Sequence, residues 1–245
     1  MCALIQLSVP ALHRIRAITL DLDDTLWEIG PVIRRAEAEL WEWLGEHYPA
    51  IGERFSTDAV LELRDEVIRE HWDKTHDFRY LRKTVLARLA TASGYTTELV
   101  EDAFAVFDAA RNRVELYPDV EPALSRLAED YVVVAVTNGN ASLERIGIRH
   151  LFDDVVTAAE TGVAKPAPPI FHAAVERAGV APDETLHVGD HPELDVAGAS
   201  DAGLRTAWMN RAAAVWPDHL APPDATITTV TELADLLADA VRRAD

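Results

Sequence analysis

The chain has 245 residues, 49% of them hydrophobic, and a formal net charge of −19. That length supports a full core with room for a smaller second unit, and the charge argues against a nucleic-acid groove or an anionic membrane surface as partner. A single cysteine, Cys2, excludes an internal disulfide and makes a reducing, cytoplasmic setting the expectation.

Met1–Pro10 is mildly apolar but short and without a basic start, so it reads as neither signal peptide nor anchor. No window reaches the unbroken apolar length of a spanning helix. The rest of the Met1–Arg14 extension is expected to pack on the core ahead of a first buried strand at Ile15–Asp21. From about Pro31 to Arg113 the pattern is helical, with Gly45, Pro49, Gly52, Ser93 and Gly94 as breaks. It predicts helices near Pro31–Glu46, Thr57–Trp72, Phe78–Thr91 and Thr97–Arg113, and the tryptophans Trp41, Trp43 and Trp72 are read as core of that block. Beyond Tyr117 apolar strands alternate with amphipathic helices. The strands are Tyr131–Val136, Asp154–Thr157, Thr185–Val188, Arg205–Met209 and Ala225–Ile227; the helices lie near Asp119–Glu129, Ile170–Ala178 and Glu193–Ala202. A last helix follows Thr229, with Glu232 at capping-box spacing. Strand–helix alternation predicts an α/β fold with a Rossmann-like parallel sheet. Because the first strand joins that sheet from across the helical block, the block is an inserted α-helical cap. The expected division is 1–28 core, 29–114 cap and 115–245 core.

The polar residues at the strand ends carry the chemistry, since open parallel sheets bind ligands there. Asp21 and Asp23 end the first strand with Thr25 close behind. Side chains alternate along a strand, so the two carboxylates converge and repel unless a cation sits between them. Mg²⁺ is the natural neutraliser; taken alone, the pair reads equally well as a strand end capping a turn. Thr137-Asn138-Gly139 supplies a hydroxyl, an amide and a close-approaching backbone, a phosphate cradle that by itself is also a polar turn. Lys165, before Pro166, is a counter-charge for a phosphoryl group or a solvated loop lysine. Gly189-Asp190 delivers a carboxylate beside the first strand, and Asp195 is either an outer metal-shell group or a helix cap. His187 reads as core, and His191 as lining the loop or solvated.

Together these four segments resemble the haloacid dehalogenase superfamily, with motifs in order and a helical cap of the smaller type inserted after the first. The resemblance implies Asp21 as nucleophile forming an aspartyl-phosphate, and Asp23 as general acid and base. It implies Thr137, Asn138, Gly139 and Lys165 around the phosphoryl oxygens. It also implies Mg²⁺ held by Asp21, Asp190 and the Asp23 carbonyl, with Asp195 in the outer shell. Dehalogenases proper lack the acid at Asp23 and ion pumps need membrane spans, so a phosphomonoester of a small metabolite is the expected partner. The phrases Asp-Asp-Thr-Leu-Trp, Thr-Asn-Gly-Asn and His-Val-Gly-Asp are similar to bacterial phosphatases acting on flavin mononucleotide (FMN) or the ribitylamino-uracil phosphate of riboflavin synthesis. Trp27, His76 and Arg79 are the candidates for leaving-group contacts. A phosphomutase, a 2-haloacid dehalogenase and a phosphate-binding regulatory protein without turnover are the alternatives. A monomer or homodimer is expected.

Overall fold

The computed structural model describes residues 9–243; Cys2 and the rest of residues 1–8 lie outside the described residues. In chain order, β1 (Ala17–Leu20) is followed by α1 (Ile29–His47), α2 (Pro49–Arg54), α3 (Thr57–Glu70), α4 (Phe78–Ala92) and α5 (Leu99–Arg111). Then come α6 (Val120–Asp130), β2 (Val132–Thr137), α7 (Leu143–Ile146), β3 (Asp154–Thr157), α8 (Ala158–Thr161) and α9 (Pro168–Ala178). The chain closes with β4 (Thr185–Gly189), α10 (Gly198–Asp201), β5 (Arg205–Met209), β6 (Ala225–Ile227) and α11 (Val230–Arg242). Two compact units result. One holds the described residues to Trp27, Leu116–Asn138 and the described residues from Gly147 on; the other is Glu28–Glu115 with Gly139–Ile146.

The first unit is a six-stranded sheet of order β3-β2-β1-β4-β5-β6, parallel throughout. Its central strands are runs of Val, Ile, Leu and Ala buried on both faces, as a helix-covered parallel sheet requires. One face is packed by α9 and α10 through Ile170, Phe171, Ala174 and Ala199 against Ala17, Val134 and Val136. The amphipathic helices α6 and α11 pack together. The turn Val9–Arg14 lies against α11, with Leu12 buried. Thr229 caps α11 by accepting from Glu232 N at 3.1 Å, while the Glu232 carboxylate takes Thr228 N, so half of the expected capping box forms. The order reverses between β1 and β4, which places the switch point, where such sheets bind ligands, at the strand ends carrying Asp21 and Asp190.

The second unit is helical. In α1 the buried residues Val32, Ala36, Leu40 and Leu44 recur every four positions and form one apolar stripe. Ala36, Leu40 and Leu44 join Val85, Leu89, Ala103 and Phe107 from α4 and α5 in one core. Ser56 and Asp77 cap α3 and α4, accepting from Ala59 N and Tyr80 N. Trp41 and Trp43 pack against this core, but Trp72 is 74% exposed and not part of it. Its helix ends at Glu70, so Trp72 sits in a short 3-10 turn beyond the apolar stripe. The segment Gly139–Ile146, expected with the sheet, is fastened here: Ser142 N donates to Asn112 Oδ1 at 2.7 Å.

Candidate active site

Asp21 follows β1 directly, and its N–H donates to Val188 O at 2.9 Å, so its backbone is still fixed to β4. The next residues form a tight turn in which Leu26 N returns to Leu22 O and Asp24 N donates to Trp27 O, each at 2.8 Å. Asp24 takes φ 60°, a left-handed conformation uncommon outside glycine and characteristic of constrained sites. Trp27 is fully buried, and its Nε1–H donates to Asp23 Oδ1 at 2.9 Å. This corrects the expectation that the ring meets a leaving group: the indole is closed off and instead holds the Asp23 carboxylate. The turn also pairs Trp27 with Leu116, so the chain leaves the sheet unit and rejoins it side by side.

Lys165 is buried rather than solvated. Its Nζ donates to Asp21 Oδ1 at 2.5 Å, Asp195 Oδ1 at 2.6 Å and Val136 O at 3.1 Å, which uses all three ammonium protons. The following Lys165–Pro166 peptide is cis. Asn138 corrects another expectation. Its side chain accepts from Lys165 N at 2.7 Å and donates to Lys165 O at 3.1 Å, so it clamps the lysine loop and is not turned to a phosphate. Thr137 is buried at the end of β2, paired in register with Thr157; Gly139 begins the segment that belongs to the helical unit.

Gly189 closes β4, and its lack of a side chain is what admits Asp195: a Cβ there would lie 2.3 Å from Asp195 Cγ. The stretch expected as one helix from Glu193 is a π-helical turn, Pro192–Ala197, followed by α10. Asp195 is buried and bonded on both carboxylate oxygens. Oδ2 accepts from His191 N at 2.9 Å as a turn cap, while Oδ1 accepts Lys165 Nζ. His191 is exposed and its Nδ1 accepts from Glu193 N and Leu194 N, which makes it a cap rather than a lining group. Thr25 Oγ1 donates to Asp190 Oδ1 at 3.5 Å.

Carboxylate oxygens of Asp21, Asp190 and Asp195 lie within 4.8 Å of one another, and could hold a metal ion. Burial, reinforced by Asp195 and Asp190, pushes the Asp21 carboxyl well above its ordinary range despite Lys165. Burial with Asp195 and Asp24 raises Asp190 to about 7. Burial would also raise Asp195, but Lys165 and His187 more than reverse it and hold that group ionised. Lys165 is likewise pulled upward by Asp195 and Asp21 against its burial. Three carboxylates thus face one ammonium. The all-oxygen donor set suits a hard divalent cation.

Two polar residues with no expected role lie beside this cluster. Thr19 Oγ1 meets His187 Nδ1 at 2.8 Å, and His187 Nε2 meets Asp195 Oδ1 at 3.3 Å. His187, expected as plain core, is buried but hydrogen-bonded at both nitrogens. The available signal was parity: Thr19 stands two residues before Asp21 and His187 two before Gly189, on the same sheet face. In the helical unit, Arg79 lies over the Phe104 ring at 4.8 Å and His76 is half-buried. That unit contains a cavity of about 230 Å³ lined by Leu40, Trp41, Phe78, Arg82, Phe107 and Asn140 among others.

The fold and site define an α/β enzyme working at the carboxyl edge of a parallel sheet. The chain belongs to the haloacid dehalogenase-like hydrolase family, whose family model matches residues 15–203. It is 32% identical to the Escherichia coli 5-amino-6-(5-phospho-D-ribitylamino)uracil phosphatase YigB over 81% of this chain and 84% of that one. It is also 32% identical to a glyceraldehyde 3-phosphate phosphatase from Methanopyrus kandleri, over 80% and 84%. These relatives are phosphatases, and the chain is one. Among solved structures, a 2-haloacid dehalogenase from Pseudomonas syringae pv. tomato DC3000 superposes with TM-score 0.87 at 37% identity, covering 92% of this chain and 99% of that one. Among the described residues no helix is long and apolar enough to cross a membrane.

Proposed function

We propose that the protein is a Mg²⁺-dependent phosphomonoester hydrolase acting on a small phosphorylated metabolite, with FMN or a riboflavin-pathway phosphate as the favoured substrate. The observation that carries this reading is the buried Lys165 ammonium bridging Asp21 and Asp195 beside Asp190. Asp21 attacks phosphorus, and the bond to the leaving alcohol breaks as Asp23 gives that oxygen a proton. Asp23 then takes a proton from the water that attacks the aspartyl-phosphate, releasing phosphate and regenerating Asp21. Thr137, the main-chain N–H groups of Asn138 and Gly139, and Lys165 hold the phosphoryl oxygens, the electrostatic part of the work. Asp21, Asp190 and the Asp23 carbonyl would hold the cation, with Asp195 outside them. When bound, the cation neutralises charge on the carboxylates and the phosphoryl group.

For the substrate, the support is the likeness to YigB. His76 and Arg79 remain candidates for contacts with the leaving group. The TM-score of 0.87 to a 2-haloacid dehalogenase favours carbon–halogen cleavage as a second reading; the presence of Asp23 speaks for the phosphatase.

The test is phosphate release with Mg²⁺ from FMN, glyceraldehyde 3-phosphate and phosphoserine, with halide release from 2-chloropropionate alongside. Preference for FMN supports the whole reading, and flat activity across the esters removes the flavin substrate alone. Halide release without phosphate release installs the second reading. Asp21→Asn, folded by circular dichroism, is expected to release no phosphate.

A further inference from the structure

Thr19 and His187 are 0% and 1% exposed and stand opposite each other in register on β1 and β4. A hydroxyl and an imidazole inside buried parallel strands are unfavourable unless paired. Here the pairing runs in one direction. Asp195 already accepts His191 N on Oδ2 and Lys165 Nζ on Oδ1, so it faces His187 as an acceptor, and Nε2 carries the proton and donates to Asp195 Oδ1 at 3.3 Å. Nδ1 of the neutral ring must then accept, and the Thr19 hydroxyl supplies the proton at 2.8 Å. The Phe171 ring meets the imidazole edge-on, with centroids 5.0 Å apart, and limits its rotation. Asp195 in turn takes Lys165 Nζ at 2.6 Å on the same Oδ1, and Lys165 holds Asp21.

We propose that Thr19 and His187 are positioning residues for the hydrolysis: they fix the Asp195 carboxylate, and through it the Lys165 ammonium beside Asp21. Neither touches the reacting atoms. Asp195 receives three donors, His191 N on Oδ2 and both His187 and Lys165 on Oδ1. Without His187 the carboxylate keeps one donor on each oxygen and loses the one that sets its plane on the sheet side. The lysine can then follow Asp195 away from Asp21. Supporting groups that orient ligating carboxylates affect activity in other enzymes by about 10–100-fold.

The inference rests on the phosphatase reading, so it is tested both with and without turnover. His187→Gln can place an amide nitrogen where Nε2 stands, whereas the shorter His187→Asn places one only where Nδ1 stands and cannot reach Asp195. With the wild-type enzyme and Mg²⁺, the expected result for Asn is a kcat roughly tenfold or more lower with KM within about twofold. Gln is expected to restore most of it at a matched melting temperature. Equal activity of Gln and Asn at matched stability overturns the proposal, because a packing role follows side-chain volume and not the position of the donor. Thr19→Val keeps the β-branched shape and guards against misfolding of the histidine variants: a wild-type kcat there also overturns it. Independently of activity, ¹⁵N shifts of the His187 ring must report the Nε2–H tautomer in the wild type and a mixture in Thr19→Val. An Nδ1–H tautomer refutes the relay even if no ester is hydrolysed, whereas absent turnover with the Nε2–H tautomer refutes only the phosphatase reading.

Discussion

Gly189→Ala isolates the cost of moving one carboxylate. The glycine does not take a left-handed φ, so alanine adds no backbone strain and the steric clash is the whole perturbation. The new Cβ would lie 2.3 Å from Asp195 Cγ and 2.4 Å from Oδ2, where ordinary contact begins at 3.4 Å. Asp195 must therefore retreat by about 1.1 Å, the difference between 3.4 and 2.3 Å. A shift of that size takes its 2.6 Å contact with Lys165 out of hydrogen-bond range and loosens the cap on His191. Overpacking of this kind costs about 1–3 kcal/mol, which for a chain of this length is a fall of roughly 2–12 °C in melting temperature. Misplacing a site by about 1 Å costs on the order of a hundredfold in rate. Steady-state phosphate release and thermal unfolding measure the two effects. Gly52→Ala, at an exposed helical position with nothing within 4 Å, is the control and should be neutral or slightly stabilising. A Gly189→Ala enzyme within twofold of wild-type kcat and within a degree in melting temperature would refute the reasoning.

Asn138→Ala removes the 2.7 and 3.1 Å bonds to the Lys165 main chain, and should cost about 1–3 kcal/mol in denaturant unfolding and at least tenfold in kcat; an unchanged kcat would return Asn138 to a bystander. Trp27→Phe keeps the buried ring but loses the donor to Asp23, so kcat should fall about fivefold with KM unchanged, as for a net hydrogen bond of about 1 kcal/mol. The pH response follows from Asp190, whose carboxyl is raised to about 7 by burial, Asp195 and Asp24. A raised folded-state value stabilises fully below the unfolded value of about 4 and is lost as pH rises through about 7. Metal-free protein should therefore melt lower at about pH 8 than at pH 5, and the gain on adding Mg²⁺ should grow over that interval. Asp190→Asn with the wild-type slope in scanning fluorimetry would show that another group is responsible.

What the sequence made legible was whatever lies within one element. The strands Asp154–Thr157, Arg205–Met209 and Ala225–Ile227 have the expected bounds because an apolar run between polar breaks defines a buried strand by itself. Pro49 and Gly52 read as a break, yet proline at the first turn starts the short helix α2. The stretch from Glu193 reads as ordinary helix because periodicity does not register one inserted residue; Val196 N reaching back to His191 O marks the π-helical spacing. The side-chain roles were hidden for a different reason. Asn138 and Lys165 are 27 residues apart and Thr19 and His187 are 168, so their partners appear only when strand order is known. Trp27 looked like a ligand contact because an aromatic beside a motif has two uses, and only its burial and the bond to Asp23 separate them.

On the proposed chemistry, the lysine geometry implies an exchange of partners. All three Lys165 protons are in use, so a phosphoryl oxygen can be gripped only by replacing Asp21, Asp195 or Val136 O. Val136 O belongs to a strand backbone fixed in the sheet, and Asp195 is itself held by His187 and His191. Asp21 is the partner left to exchange, and its second oxygen, Oδ2, is the one the ammonium does not hold. Its charge cannot stay uncompensated in a buried site with two other carboxylates nearby. Release of Asp21 from the lysine must therefore coincide with compensation by another cation, which ties phosphate capture to metal loading. Phosphate without the metal would leave more negative charge at an already raised carboxyl. Inorganic phosphate should accordingly bind weakly to the metal-free protein and much more tightly once Mg²⁺ is present.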